Sequence, residues 1–387
     1  MKKKPSKLVY RFVQAISIVV SKLIFRCKTL RNEIKGRKGP FVVIANHTCA
    51  LDFVNLIGKN HIPMTFVISN TFYNTLPVRW FMDRLSLIPK QQFHTVLSDL
   101  YKMKSVIKKG EILVIYPAGL MCEDGQSTPL PASTYDFLRW LKADIYMARS
   151  EGQYFTMPKW GKGLRPGKTH IDIFKIFDKD ELESISAEEF QARTDAVLLF
   201  DSYAEQEVLL NKHAGGNRVE GLQNVLYQCP HCKSEFSIKV KGKSSLYCEE
   251  CGFEQTMDKY GFFHADKGEE ICHVSEWARI IYNNLKESSE REMSLECEFK
   301  TLIDGKRGFF SVGYGTVSLT AEGITLSGDL NEHISTDNFV SLPFSPGNYF
   351  ELQHGDHTWR CYPKDAKQVM KFVNLIKIRY NNKKAEA

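Results

Sequence analysis

The chain has 387 residues, 43% of them hydrophobic and 25% charged, with 25 glycines and 14 prolines. That length points to two or three domains, and the composition excludes wholesale disorder and fibrous repeats. The net charge of +7 is unevenly spread: residues 1–38 hold twelve Lys/Arg against Glu33 alone, a net +11, which leaves −4 for the rest. The body therefore lacks the general basic character of a nucleic-acid binder, and no nucleic-acid partner is expected.

Residues 5–28 carry apolar side chains at helical spacing: Val9, Phe12, Val13, Ile16, Val19, Val20, Leu23 and Ile24. Lys7, Arg11, Gln14, Ser21 and Lys28 are expected largely on the other side. An apolar face with a basic flank is a two-part signal for lying on an anionic membrane surface, so residues 1–28 read as an amphipathic membrane-associating helix. The best candidate for a spanning segment, Phe12 to Ser21, has ten uncharged residues between Arg11 and Lys22, whereas a spanning helix needs ~20. It also lacks the small-x-small site of a cleaved signal.

Residues 29–215 read as an α/β domain. Short buried-strand runs at 41–45, 65–69 and 112–116 alternate with helical patterns, including one over 93–108, and a late strand is expected at 171–177. Residues 187–212 read as closing helices, and Ala214-Gly215-Gly216-Asn217 breaks the pattern as a boundary.

At the end of the first strand stands Asn46-His47-Thr48-Cys49-Ala50-Leu51-Asp52. A histidine held by a carboxylate is a general base with a fixed tautomer. The spacing also occurs at His94 and Asp99. Those two are expected inside one helix, where residues five apart differ by ~140° around the axis and face different ways. Past a strand end, the chain can fold Asp52 back onto His47. Cys49, within the same motif, reads as a packing residue.

Residues 222–262 form a cysteine module. Cys229-Pro230-His231-Cys232 is followed fifteen residues later by Cys248-Glu249-Glu250-Cys251. Two CxxC pairs at this spacing read as a zinc ribbon, and four thiolates leave no open position, so the zinc (Zn2+) is structural. The other six cysteines are scattered, which suits a reducing compartment. Residues 263–294 read as a helical linker, its helix at 273–289. Residues 295–382 read as a small mostly-β domain, with strands near 314–320, 324–326, 339–342, 349–352 and 358–362, closed by a helix over 363–380.

Asn46-His47-x4-Asp52 after a strand resembles the first motif of the glycerolipid acyltransferases of lysophosphatidic-acid acyltransferase type. Later blocks follow in that family's order: Ser86-Leu87-Ile88-Pro89-Lys90, Ile115-Tyr116-Pro117-Ala118-Gly119 and Met157-Pro158. The resemblance spans about residues 30–210. It implies that His47 is the base, that Asp52 orients it, and that Lys90, Arg84, Pro117 and Gly119 bind substrate. It also implies an acyl donor, acyl-CoA or acyl carrier protein, and a glycerolipid acceptor, 1-acyl-glycerol-3-phosphate being expected first. Two departures stand out. The third block usually reads Pro-Glu-Gly, and here Ala118 replaces the carboxylate, with Glu123 and Asp124 nearby but out of alignment. The arginine ending the second block is replaced by Lys90-Gln91-Gln92. These departures keep open a catalytically silent lipid- or protein-binding protein, or a different lipid acceptor. The C-terminal domain weakly resembles a pleckstrin-homology-like barrel. The expected place is the cytoplasmic face of a membrane, peripheral or monotopic, with membrane lipids as partners.

Overall fold

The computed structural model describes residues 6–75, 82–85, 87–92, 96–128, 130–303, 306–336, 339–355 and 357–386. The chain divides into two compact units. The first comprises residues 1–159 and 164–215, and the second residues 160–163 and 216–387.

The first unit is built on strands β1 (Lys28–Asn32), β2 (Phe41–Ala45), β3 (Thr65–Ser69), β4 (Leu87–Lys90), β5 (Ile112–Ile115), β6 (Asp144–Glu151) and β7 (His170–Phe177). They form one sheet in the order β1-β7-β6-β2-β5-β3-β4. The run β6-β2-β5-β3-β4 is parallel, and β7 lies antiparallel to β6. Parallel strands are covered on both faces, which explains why β2 and β5 read as unbroken apolar runs. Alternate residues feed two cores. Val42 and Ile44 face a cluster with Met103, Val106 and Ile107 of helix Leu97–Lys108 and Phe190 of helix Ala187–Leu198. Phe41, Val43 and Ala45 face the other way, with Tyr10 of helix Lys7–Leu23 and Val54, Leu56 and Ile57 of helix Asp52–Lys59. In chain order the helices are α1 (Lys7–Leu23), α2 (Asp52–Lys59), α3 (Asn70–Thr75), α4 (Leu97–Lys108), α5 (Ala132–Trp140), α6 (Gln153–Thr156), α7 (Ala187–Leu198) and α8 (Ser202–Leu209).

Helix α1 departs from its expected orientation. Its buried residues are Tyr10, Gln14, Ser17 and Ser21, so Gln14 and Ser21 face the protein rather than the outside. Gln14 Nε2 donates to the Asn60 carbonyl (2.6 Å), and the Tyr10 hydroxyl donates to the Ile62 carbonyl (2.7 Å). Gly58 of α2 lets the backbones approach, since a Cβ there would stand 3.0 Å from the Ser17 oxygen. Val13, Val20 and Ile24 pack at the edge of the core. Leu8, Phe12, Ile16, Val19 and Leu23 are left exposed. Their 4-4-3-4 spacing makes them one stripe. No helix among the described residues is long and apolar enough to cross a membrane.

In the second unit, β8 (Ile238–Lys241), β9 (Ser245–Cys248), β10 (Glu254–Met257) and β11 (Phe263–Lys267) form an antiparallel sheet in the order β11-β10-β9-β8. Trp277 of α9 (Val274–Glu287) packs on Phe253 and Phe263 and donates its indole N–H to the Gln228 carbonyl at 2.9 Å. A second sheet holds β12 (Met293–Leu302), β13 (Phe309–Thr320), β14 (Gly323–Gly328), β15 (Glu332–Ile334), β16 (Phe344–Ser345), β17 (Tyr349–His354) and β18 (His357–Pro363). Its order is β15-β14-β13-β12-β18-β17-β16, with antiparallel neighbours, so the first strand pairs with the last. Helix α10 (Val369–Glu386) follows, its Phe372 stacked on Phe350 of β17 at 4.5 Å.

Three boundaries differ from expectation. The strand placed at 339–342 is absent: residues 339–343 form no strand, and the pairing segment is Phe344–Ser345, beyond Pro343, which has no N–H for a ladder. The final helix starts at Val369 rather than 363, because Pro363 ends β18 and a short 3₁₀ turn, Ala366–Gln368, intervenes. Helix α4 begins at Leu97; Phe93 to Thr95 lie outside the described residues.

Candidate active site

Motif by motif, the sheet topology collects the candidate residues other than Arg84 at one edge. Strands β4, β5, β2 and β6 run parallel, so the segments leaving their carboxyl ends emerge on the same side. Such an edge is where open α/β sheets place ligands. Lys90 ends β4, Pro117 to Gly119 follow β5, His47 follows β2, and Met157 follows β6 by way of α6. Specific bonds tie these blocks together. The His47 carbonyl accepts from the Cys122 amide at 3.3 Å, and Gln92 Nε2 donates to the Gly119 carbonyl. Asn46 clamps β6 by donating to the Ser150 carbonyl (2.7 Å) and accepting from the Ser150 amide (2.8 Å). The Cys49 thiol faces Gln153 Oε1 at 3.9 Å.

At the centre, His47 Nδ1 lies 2.9 Å from Asp52 Oδ2. Asp52 opens α2 and is almost fully buried. Its Oδ2 also accepts from the amides of Thr48 (2.7 Å) and Cys49 (3.1 Å), and its Oδ1 from the Thr48 hydroxyl at 3.0 Å. Three donors besides the imidazole suit an ionised carboxylate fixed in place. The histidine side chain remains 23% exposed, with the Tyr116 ring at 4.8 Å between centroids. With Nδ1–H given to Asp52, the lone pair sits on Nε2, the nitrogen available to take a proton.

Cys49 and Cys122 are buried beside this pair. Burial and then Asp52 push the Cys49 thiol well up, and burial with Asp124 and Glu123 does the same to Cys122. Neither is a thiolate nucleophile. Burial likewise pushes the Tyr116 phenol well up, with Asp52 adding to the effect.

The candidate substrate residues separate. Lys90 is half-buried at the carboxyl edge, its ammonium donating to the Gln91 carbonyl at 3.0 Å, and burial lowers its pKa. Arg84 is exposed and precedes β4, so it belongs to the opposite end of that strand; its carbonyl accepts from the Ser6 amide at 3.0 Å. Gly119 takes φ +67° with open space where a Cβ would point, so backbone conformation rather than crowding calls for glycine. Pro117 is half-buried in the same turn. Ala118 packs against the core, and the nearby Asp124 is engaged by the Gln126 amide at 3.0 Å. His94 and Ser86 lie outside the described residues, while Asp99 is held by Lys102 at 2.6 Å. The sequence did not single out Thr48, whose amide and hydroxyl both bind Asp52; the only signal was its place inside the motif.

The second unit brings four cysteines together. The sulfurs of Cys229, Cys232, Cys248 and Cys251 lie within 4.8 Å of one another, with the pairs Cys229–Cys251 and Cys232–Cys248 at 3.7 Å. A tetrahedron with metal–sulfur bonds of ~2.3 Å has edges of about 3.8 Å, so the donor set fits a metal ion of the zinc type. Both turns are built alike. Lys233 (φ +63°) and Gly252 (φ +71°) directly follow the second cysteine of each pair and donate back to the first at 3.0 Å.

Residues 26–155 match the model of the Acyltransferase family. The matched segment lies in the α/β unit, and His47 and Asp52 fall inside it. Among solved structures, the chain is similar to the 1-acyl-sn-glycerophosphate acyltransferase PlsC from Thermotoga maritima. The identity is 17% and the TM-score 0.42, over 52% of this chain and 81% of that one. The search of curated proteins finds no match.

Proposed function

We propose that this protein is a membrane-surface acyltransferase that moves a fatty acyl group from a thioester to a glycerolipid hydroxyl. The observation that carries the reading is the 2.9 Å contact of His47 with the fully engaged Asp52, inside the segment matched by the acyltransferase family. In the reaction, His47 Nε2 takes the proton of the acceptor hydroxyl as its oxygen attacks the thioester carbonyl. The tetrahedral adduct collapses, the carbon–sulfur bond breaks, and the leaving thiolate takes the proton back from the imidazolium. Asp52 stabilises that imidazolium and stays ionised.

The donor is acyl-CoA or acyl carrier protein, and the first acceptor to try is 1-acyl-glycerol-3-phosphate. Lys90, half-buried at the same sheet edge, is the cation offered to the acceptor's phosphate; as an ammonium it is a point donor rather than a planar fork. The exposed apolar stripe of α1, bordered by Lys7, Arg11 and Lys22, supports peripheral binding to the cytoplasmic face of a membrane. The four-cysteine cluster supports a structural zinc. The order β15-β14-β13-β12-β18-β17-β16 with a closing helix supports the pleckstrin-homology-like reading of the C-terminal domain.

Ala118, where the family pattern has a carboxylate, favours the second reading, a lipid-holding domain without turnover. One assay separates them. Purified protein is incubated with labelled acyl-CoA or acyl carrier protein and a panel of lysolipids in vesicles. Turnover with any acceptor, reduced at least about 100-fold in His47→Ala and Asp52→Asn with the zinc content unchanged, supports the enzyme. Absence of turnover with every pair, or full activity in His47→Ala, removes it.

A further inference from the structure

The turn joining α1 to β1 encloses an open cavity of about 440 Å³, lined by Ile18, Ser21, Lys22, Arg26, Cys27, Gly58 and Lys59. Three of the seven lining residues are cations, and none is a carboxylate. Among the described residues no carboxylate comes within ion-pair distance of Lys22, Arg26 or Lys59; Lys59 donates instead to the Cys27 carbonyl at 2.8 Å. Ser21, 1% exposed, closes the inner wall with its hydroxyl turned toward the Cys27 thiol. Cations at helix C-termini are common because they offset the helix dipole. That accounts for Lys22 and Lys59 singly, but not for three cations converging on one cavity that has no carboxylate in its lining.

Its surroundings suggest what fills it. Ile18 and Lys22 lie on α1 between the docked face and the exposed stripe of Leu8, Phe12, Ile16, Val19 and Leu23. A helix lying in the interface with that stripe among acyl chains holds its border residues at the depth of the phosphates.

We propose that this cavity binds the phosphate of an anionic membrane phospholipid, as a lipid site separate from the one at His47. Lys22 and Arg26 reach in from the exposed rim, and Lys59 supplies charge from the inner wall. The site lies at the C-terminal end of α2, whereas Asp52 opens that helix. A bound headgroup would set the rotation of α1 on the membrane and, through α2, the presentation of the His47 edge. This inference rests on the membrane-surface reading of α1, and the test keeps the two apart.

The full chain is co-sedimented with three kinds of vesicle: phosphatidylcholine alone, phosphatidylcholine with phosphatidic acid, and phosphatidylcholine with cholesteryl hemisuccinate, a carboxylate amphiphile, at matched surface charge. Wild type is expected to bind the phosphatidic acid vesicles at least about tenfold tighter than the charge-matched carboxylate ones. Lys22→Gln with Arg26→Gln should erase that preference. Lys7→Gln with Arg11→Gln removes the same charge outside the cavity. It should weaken binding to both anionic vesicles, by about fivefold per residue, and keep the preference. Equal loss of preference in both double variants, or no preference in wild type that still binds vesicles, overturns the headgroup site and leaves the membrane reading standing. Failure of wild type to bind any vesicle overturns both. Inorganic phosphate and glycerol 3-phosphate serve as soluble probes. Binding of either at micromolar concentration without vesicles would overturn the lipid as the source of the phosphate; competition only at millimolar concentration supports it.

Discussion

His213 shows what a single buried group does to this molecule. It lies in the first unit, 6% exposed, with the Phe155 ring at 5.6 Å and the Thr156 hydroxyl at 3.4 Å from Nδ1. Its Nε2 has no partner among the described residues. Burial lowers its pKa to about 4 from an ordinary 6.5. The folded state therefore resists a proton that the unfolded chain accepts. The stability contributed by the neutral ring is fully present above pH 6.5, is lost as the pH falls toward 4, and changes little below that. By pH 5 the loss is about 2 kcal/mol. The expected outcome is that the urea midpoint of wild type drops between pH 7.5 and pH 5.0 by more than that of His213→Gln; an equal drop in both removes the assignment. At this scale the candidate site was partly legible. The pairing of His47 with Asp52 followed from a strand end and a five-residue spacing. The support from Gln92 and Gln153 did not, because it depends on contacts between segments as far as 104 residues apart, and that from Thr48 did not, because it depends on the local turn that folds Asp52 back.

Secondary-structure elements were legible where burial imposes a pattern. Strands β2, β3 and β5 are short apolar runs, and α9 shows Val274, Trp277, Ile281 and Leu285 at helical spacing, all buried. Strand β4 was hidden because its core, Leu87-Ile88-Pro89-Lys90, is four residues long with a proline, tolerated at the sheet edge where the strand lies. Strand β1 was hidden because the other sheet edge leaves it mostly exposed, without an apolar alternation. Helix α1 was found, but its orientation was misjudged: hydropathy assigns an apolar face, and only the Gly58–Ser17 approach reveals that small and hydrogen-bonding residues make the protein contact. The four-cysteine cluster has the simplest element-scale expectation. Purified protein should carry one equivalent of zinc. Cys248→Ser should lose it and speed amide hydrogen exchange in β8 to β10 by at least about tenfold, because a metal that closes such a hairpin also stabilises its fold. Unchanged exchange would mean that this sheet holds without metal.

For the molecule as a whole, the charge of +7 divides into a basic leading segment and a slightly acidic remainder, and the leading segment contains the exposed stripe. Each large apolar side chain moved from water into lipid contributes about 2 kcal/mol. Phe12→Asp with Ile16→Asp should therefore lower turnover of acceptor held in vesicles at least tenfold relative to acceptor dispersed in detergent. A ratio that does not change would place membrane contact elsewhere. The way α1 is seated bears on how the protein can be handled. Tyr10, Gln14, Val13, Val20 and Ile24 are stitched into the same core as β2, and Phe25, just past the helix, is fully buried. Residues 6–28 are thus a wall of the domain. Cutting them away to obtain a freely soluble enzyme would open the core and invite aggregation. Solubility has to come from repainting the outer stripe with polar side chains while the inner one is left intact.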